Sequence, residues 1–227
     1  MIQPRMTRVE FDNGLRLVRE SLFTMTGTVT EAIQAATTAL LDRNLEAARA
    51  TASLEQELED NQLLIERRAM QLLARQQPAA SELRRVLVSA VKISAECRRI
   101  GELAHHIGMA ARRIYPAPAI PDELSGSFRW MGDVASRIAD DARVTLLTSD
   151  ALDAAPLDVD DDTMECLRPA LFRALLNNWS HGVETAVNVA LLGRYYERFA
   201  DHAVAIAESV IFMVTGTKPV SEHPMPS

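Results

Sequence analysis

The residues best suited to chemistry in this chain are carboxylates spaced four apart. Asp161 and Glu165 form one pair, within DDTME, and Glu197 and Asp201 form another, within ERFAD. Spacing of i and i+4 puts both acids of a pair on one face of a helix, where like charges repel unless something positive sits between them. If the two helices are neighbours, four carboxylates converge into a hard, oxygen-rich site for a divalent cation or iron. An upstream set has the same form: Glu55 and Glu59, within EQELE, precede Glu102.

Glu102 and His105 also make an E-x-x-H unit, the ligand pattern of di-iron helical bundles. That chemistry needs a second unit, and Val204 stands at the matching place in the second half. A metal-dependent bundle enzyme using the carboxylate groove, either a hydrolase or a di-iron-type redox protein, is the rival reading. The leading one is a protein that is not an enzyme, because no G-x-S-x-G, phosphate-cradling glycine loop or other nucleophile constellation occurs. His202 directly follows Asp201, so the two point about 100° apart on a helix and are poor joint ligands. A packed, hydrogen-bonded His202 is expected instead. The run Asp158, Asp160, Asp161, Asp162 suits a helix N-terminus, which the helix dipole favours. Met6, Met25, Met70, Met109, Met164 and Met213 form no single stripe and read as core filler.

The elements that must position these groups are helices. RRIGELAHHIG at 98–108 recurs as ERFADHAVAIA at 197–207, an offset of 99 residues. Arg99 matches Arg198, Ala104 matches Ala203 and Ile107 matches Ile206, while Ile100/Phe199 and Gly108/Ala207 keep their character. A repeat of that length implies two related halves, not a short-period solenoid. Apolar residues at Phe11, Leu15, Val18, Leu22, Met25, Val29, Ile33, Ala36 and Leu40 step by three and four, which predicts one long amphipathic helix. Asn44 is suited to cap a second helix reaching about Arg75. Pro78 breaks it, and a third begins near Ser81 with a stripe from Leu83 to Ile114. Three long helices with short turns predict an antiparallel bundle.

YPAPAIP, residues 115–121, holds three prolines in seven positions and marks the boundary between halves. The second half then predicts a fourth helix from about Pro121 to Thr148, a fifth after the acidic stretch Asp150–Asp162, either kinked by Pro169 or delayed by it in its regular start, and a sixth from about Ser180 to Thr215. The organisation is therefore all-α: two tandem three-helix bundles, at 8–114 and 121–216, and a mobile tail at 217–227. No strand or hairpin signal is present. Apolar residues make up 48% of the 227, enough for a core, and aromatics only 5%, which favours packed helices over a β-sandwich. No apolar run reaches the roughly 18 residues of a membrane span. The N-terminus lacks the apolar core of a signal peptide. Cys97 and Cys166 have no metal-type spacing and read as free thiols of a reducing cytosol. The net charge of −7 disfavours nucleic acid as a partner.

Two such halves, with LLARQQPAASELR (72–84), RRIGELA (98–104) and GRYYERFADHAVAIAESVIFMVTG (193–216), resemble the PhoU family over roughly residues 8–217, and within it the actinobacterial members known as PhoY. The resemblance implies a bundle in which an acidic pair on the second helix of each half faces an E-R-x-G-D segment on the third. In the second half Asp161, Glu165, Glu197 and Asp201 match those positions, and the resemblance implies a possible divalent or iron cation there. In the first half Glu55, Glu59 and Glu102 match, but Arg98 stands where the family has its Glu. A guanidinium among three carboxylates neutralises them as a cation would, so an ion pair with Arg98 and no metal is expected in the first half. The resemblance further implies a cytoplasmic homodimeric regulator of phosphate uptake. It would repress the phosphate-starvation response through two partners: the ATPase of a phosphate ABC transporter and a two-component sensor histidine kinase. Membrane contact would come only through those partners.

Overall fold

The first helix is fixed at its start by a reciprocal cap. The Thr7 hydroxyl accepts from the Glu10 amide at 3.3 Å, and the Glu10 carboxylate accepts from the Thr7 amide at 2.8 Å. This is α1, Arg8–Asp42, in a computed structural model that describes residues 7–75, 81–148, 171, 173, 175, 176 and 179–217. Arg43 adopts the left-handed conformation at φ 54° and ends it. Asn44 Oδ1 then accepts from the amides of Glu46 and Ala47 at 2.9 and 3.0 Å, capping α2, Leu45–Arg75, as its side chain predicts. α3 is Ser81–Ile114. The fourth helix opens with a single 3-10 turn, Asp122–Leu124, closed by the Leu124 amide donating to Pro121 O at 3.0 Å, and continues as α4, Ser125–Thr148. The sixth predicted helix, α5 here, is Gly182–Thr215 and stops at Gly216, φ 79°, whose amide donates to Phe212 O at 2.9 Å. The described residues contain no strand.

α1, α2 and α3 pack on one another, and α4 packs on α5. Two further contacts, α1 with α4 and α3 with α5, join the halves along a seam. Across α3 and α5, Arg85 meets Val214, Glu96 meets His202 and Arg113 meets Asn188. The order reverses, so the helices are antiparallel, and interpolation puts Ile100 level with Phe199. α1 and α4 are antiparallel too: Phe23 lies under Arg143, Thr30 binds Asp140, and Thr37 abuts Gly132. Each seam helix therefore pairs with its own repeat counterpart, which is what a pseudo-twofold requires. Burial obeys the repeat as well: Ile100, Phe199, Ala104 and Ala203 are all 0% exposed.

The predicted stripes are buried along α1 and α3, with Leu15, Ala111 and Ile114 half-buried at the margins. The methionines divide. Met25 and Met213 are core, whereas Met70 and Met109 are 67% and 43% exposed, contrary to their reading as core filler. Each follows a small buried residue, Ala69 or Gly108, and so turns about 100° away from it around its helix. Met6, Met164, Cys166, Pro169, the stretch 150–162 and the tail from 218 lie outside the described residues. The proline-rich link is exposed over 115–118 and packs only at its end, where Ala119 and Ile120 are each 4% exposed.

Two glycines let α2 approach α3. A Cβ on Gly108 would stand 2.5 Å from Thr51 Oγ1, and one on Gly101 would stand 2.7 Å from Leu58 Cδ1. Thr51 is β-branched, fully buried and hydrogen-bonded to Ala48 O at 2.8 Å, so it cannot yield. Leu58 meets the new methyl with a flexible tip. Gly108→Ala is expected to cost about 1–3 kcal/mol, while Gly101→Ala is near neutral because gained helix propensity offsets a small shift. Urea unfolding of both variants distinguishes them; equal midpoints would contradict the close approach.

Candidate functional site

The sixth predicted helix is held in the seam by Phe199, Ala200 and Ala203, which are fully buried, with Glu197 half-buried and Asp201 exposed one turn further on. The Glu197 side chain is 14% exposed and takes an ion pair from Arg194 at 2.7 Å, one turn before it. Asp201 is exposed at its edge, yet partial burial of its carboxyl, and then the charge of Glu197, push its pKa above the ordinary aspartate value, with Arg194, His202 and Arg198 opposing. The two acids thus repel as their spacing predicts. Asp161 and Glu165, the other half of the expected quartet, lie outside the described residues.

In the first half Arg98 forms a salt bridge to Glu102, four residues on, with Arg99 a further 3.9 Å from the same carboxylate. Glu55 faces a different partner, His105 Nε2, at 3.8 Å, and His105 Nδ1 lies 3.4 Å from Thr51 Oγ1. Glu59 is exposed on α2. Arg98 therefore neutralises Glu102 within α3, while Glu55 of α2 and His105 of α3 face each other between the helices. Among the described residues no group of three or more His, Cys, Asp or Glu side chains could hold a metal ion.

The sequence did not point to Glu96. Its carboxylate meets His202 Nδ1 at 2.6 Å across the seam. The hydrogen bond from His202 holds the Glu96 carboxyl below its ordinary value of 4.5. His202 is thus the packed, hydrogen-bonded histidine its position next to Asp201 implies, and it turns away from that acid. His106 stacks on Tyr195 at 5.4 Å between ring centres, an aromatic link between the same two helices. Only a long-range pairing could have revealed either. Because the Glu96 pKa is lowered on folding, the pair stabilises fully above the ordinary glutamate value and loses its contribution as pH falls through the depressed one. Glu96→Gln is expected to lower the melting temperature at neutral pH and to flatten its acid limb. Melting curves that run parallel from pH 7 to about pH 3 would show the pair to be thermodynamically silent.

Among the described residues no helix is long and apolar enough to cross a membrane. The PhoU domain family matches residues 22–111 and again 128–210. A phosphate-specific transport system accessory protein, PhoU homolog 2 of Mycobacterium tuberculosis, is 40% identical over 213 residues, covering 93% of this chain and all of that protein. PhoU homolog 1 of the same species is 42% identical over 193 residues, 85% of this chain and 87% of that one. The crystal structure of PhoU from Pseudomonas aeruginosa superposes with a TM-score of 0.84 at 27% identity, covering 91% of this chain and 100% of that chain.

Proposed function

This chain belongs to the PhoU family, and from that premise we propose that it reports the state of a phosphate ABC transporter to a sensor histidine kinase and holds the phosphate-starvation response off while phosphate is plentiful. Family membership makes it a regulatory accessory protein of phosphate transport and not an enzyme. The single observation that carries the proposal is the double match of the family across both halves, together with near-full-length identity to named phosphate-transport accessory proteins. Physically, such a regulator acts by helix-face contacts whose affinity differs between the partners' conformations. The long helices here offer charged outer faces for that purpose. The transporter's ATPase subunit and the kinase are the proposed partners, and a homodimer is the proposed assembly.

Deleting the gene and following phosphate-responsive transcription tests the reading. Starvation genes are expected to be expressed in phosphate-replete medium and restored to repression by the intact gene. Unchanged repression in the deletion strain would refute a negative regulator.

A further inference from the structure

The seam between the halves is filled at one end and hollow at the other. Where α3 hands over to α4, Phe128, fully buried Tyr196 and the packed end of the link at Ala119 and Ile120 close it, with Tyr196 hydrogen-bonded to Thr37 at 2.9 Å. At the opposite end, among the described residues, α1, α3, α4 and α5 line a half-open cavity of about 630 Å³, within the usual size range of small-molecule sites. The pseudo-twofold exchanges the two ends, so the repeat by itself does not account for the hollow.

Its walls are aliphatic, chiefly Val86, Leu146 and Met213, with Phe23 on one side. Among the described residues its lining carries two cations and one carboxylate, in a chain whose net charge is −7. Arg19 of α1 and Arg85 of α3 line it, and the Arg143 guanidinium of α4 lies 4.4 Å above the Phe23 ring. Arg85 donates to Val214 O at 3.3 Å, but its Nε is buried without a hydrogen-bond partner, and the same is true of Arg143 Nε. Buried donors of charged groups normally find an acceptor. Glu20, the carboxylate among the described lining residues, is engaged by Arg16 at 2.6 Å.

We propose that this cavity binds an anionic amphiphile, a carboxylate or phosphate head joined to a single alkyl or acyl body. Planar guanidinium donors match either head, and the desolvated walls take the apolar body. Inorganic phosphate alone would gain nothing from those walls. The inference does not rest on the regulatory role proposed above.

Calorimetric titration of the full chain with dodecanoate below its aggregation limit is expected to show one site per chain. Dodecanol, which lacks the head, and inorganic phosphate, which lacks the tail, are expected to give none. Arg85→Met should weaken dodecanoate by about tenfold, as the loss of one charge-assisted hydrogen bond implies. Arg19→Gln, at an exposed position where folding is not at risk, should weaken it in the same direction, and Leu146→Trp should fill the cavity and abolish binding. Sedimentation with phosphatidylglycerol vesicles that dodecanoate competes away identifies a lipid as the source of the ligand, and no sedimentation identifies a free acid. Absent dodecanoate binding, equal binding of dodecanol, or variants that bind like the parent would each overturn the proposal.

Discussion

Phe199→Ala is expected to cost about 3–5 kcal/mol, the range for truncating a fully buried aromatic side chain. The ring is 0% exposed and sits level with Ile100 at the middle of the α3–α5 seam. In a chain of this size each kcal/mol moves the melting temperature by about 2–4 °C, so a fall of roughly 10 °C or more is expected. The adjacent seam position supplies a control. Ile100→Ala should also destabilise, and the two losses should fail to add, because neighbours share one cavity. Calorimetry on the two single variants and the double variant measures this. Strict additivity would mean that the two side chains do not share the seam.

The second large effect concerns the acidic quartet. We propose that Asp161 and Glu165 join Glu197 and Asp201 around a divalent or iron cation. Asp201 already has a raised pKa on folding, so the folded state holds its proton more tightly than the unfolded chain. Its contribution to stability therefore falls as pH rises from the unfolded value through the raised one, and the full cost is present at neutral pH. A cation that binds only the folded form removes that cost and adds stability, about 2.7 kcal/mol at a hundredfold excess over its Kd. Millimolar manganese or iron is thus expected to raise the melting temperature by several degrees. The double change Asp161→Asn and Glu197→Gln should raise stability without metal and abolish the increment. If melting is indifferent to cations, the acidic face is a docking surface for basic side chains. The same double change should then weaken partner binding, most at low salt. A double variant that alters neither would leave the quartet without a role.

The helices were legible in the sequence because their signal is periodic and local. The stripe from Phe11 to Leu40 is buried along nearly its whole length, and Asn44 caps the helix it precedes. What the stripe could not show is that α1 is buried on more than one side. Thr26, Thr28 and Thr30 are 1%, 5% and 7% exposed, though a polar β-branched residue reads as surface. Thr26 is satisfied within its own helix by Phe23 O, whereas Thr28 also reaches Glu57 on α2 and Thr30 reaches Asp140 on α4, helices far away in sequence. The site was half legible for the same reason. Spacing along one helix gives the Glu197–Asp201 pair and the Arg98–Glu102 bridge. It is silent on Glu96 with His202, on Glu55 with His105, and on Arg19 and Arg85 brought from two helices to one cavity. Those depend on the register between helices, which no local pattern encodes.

The self-pairing of the seam has a consequence for assembly. Helices that pack antiparallel against their own repeat counterparts form a surface that is self-complementary, as the isologous interface of a twofold dimer is. Either half therefore carries the means to recognise the matching half of another molecule. The short link that packs at Ala119 and Ile120 keeps the partner half at high effective concentration, so pairing within the chain prevails. Lengthening that link lowers the effective concentration without touching the seam. It thereby favours exchange of halves between molecules, turning one closed chain into a domain-swapped pair.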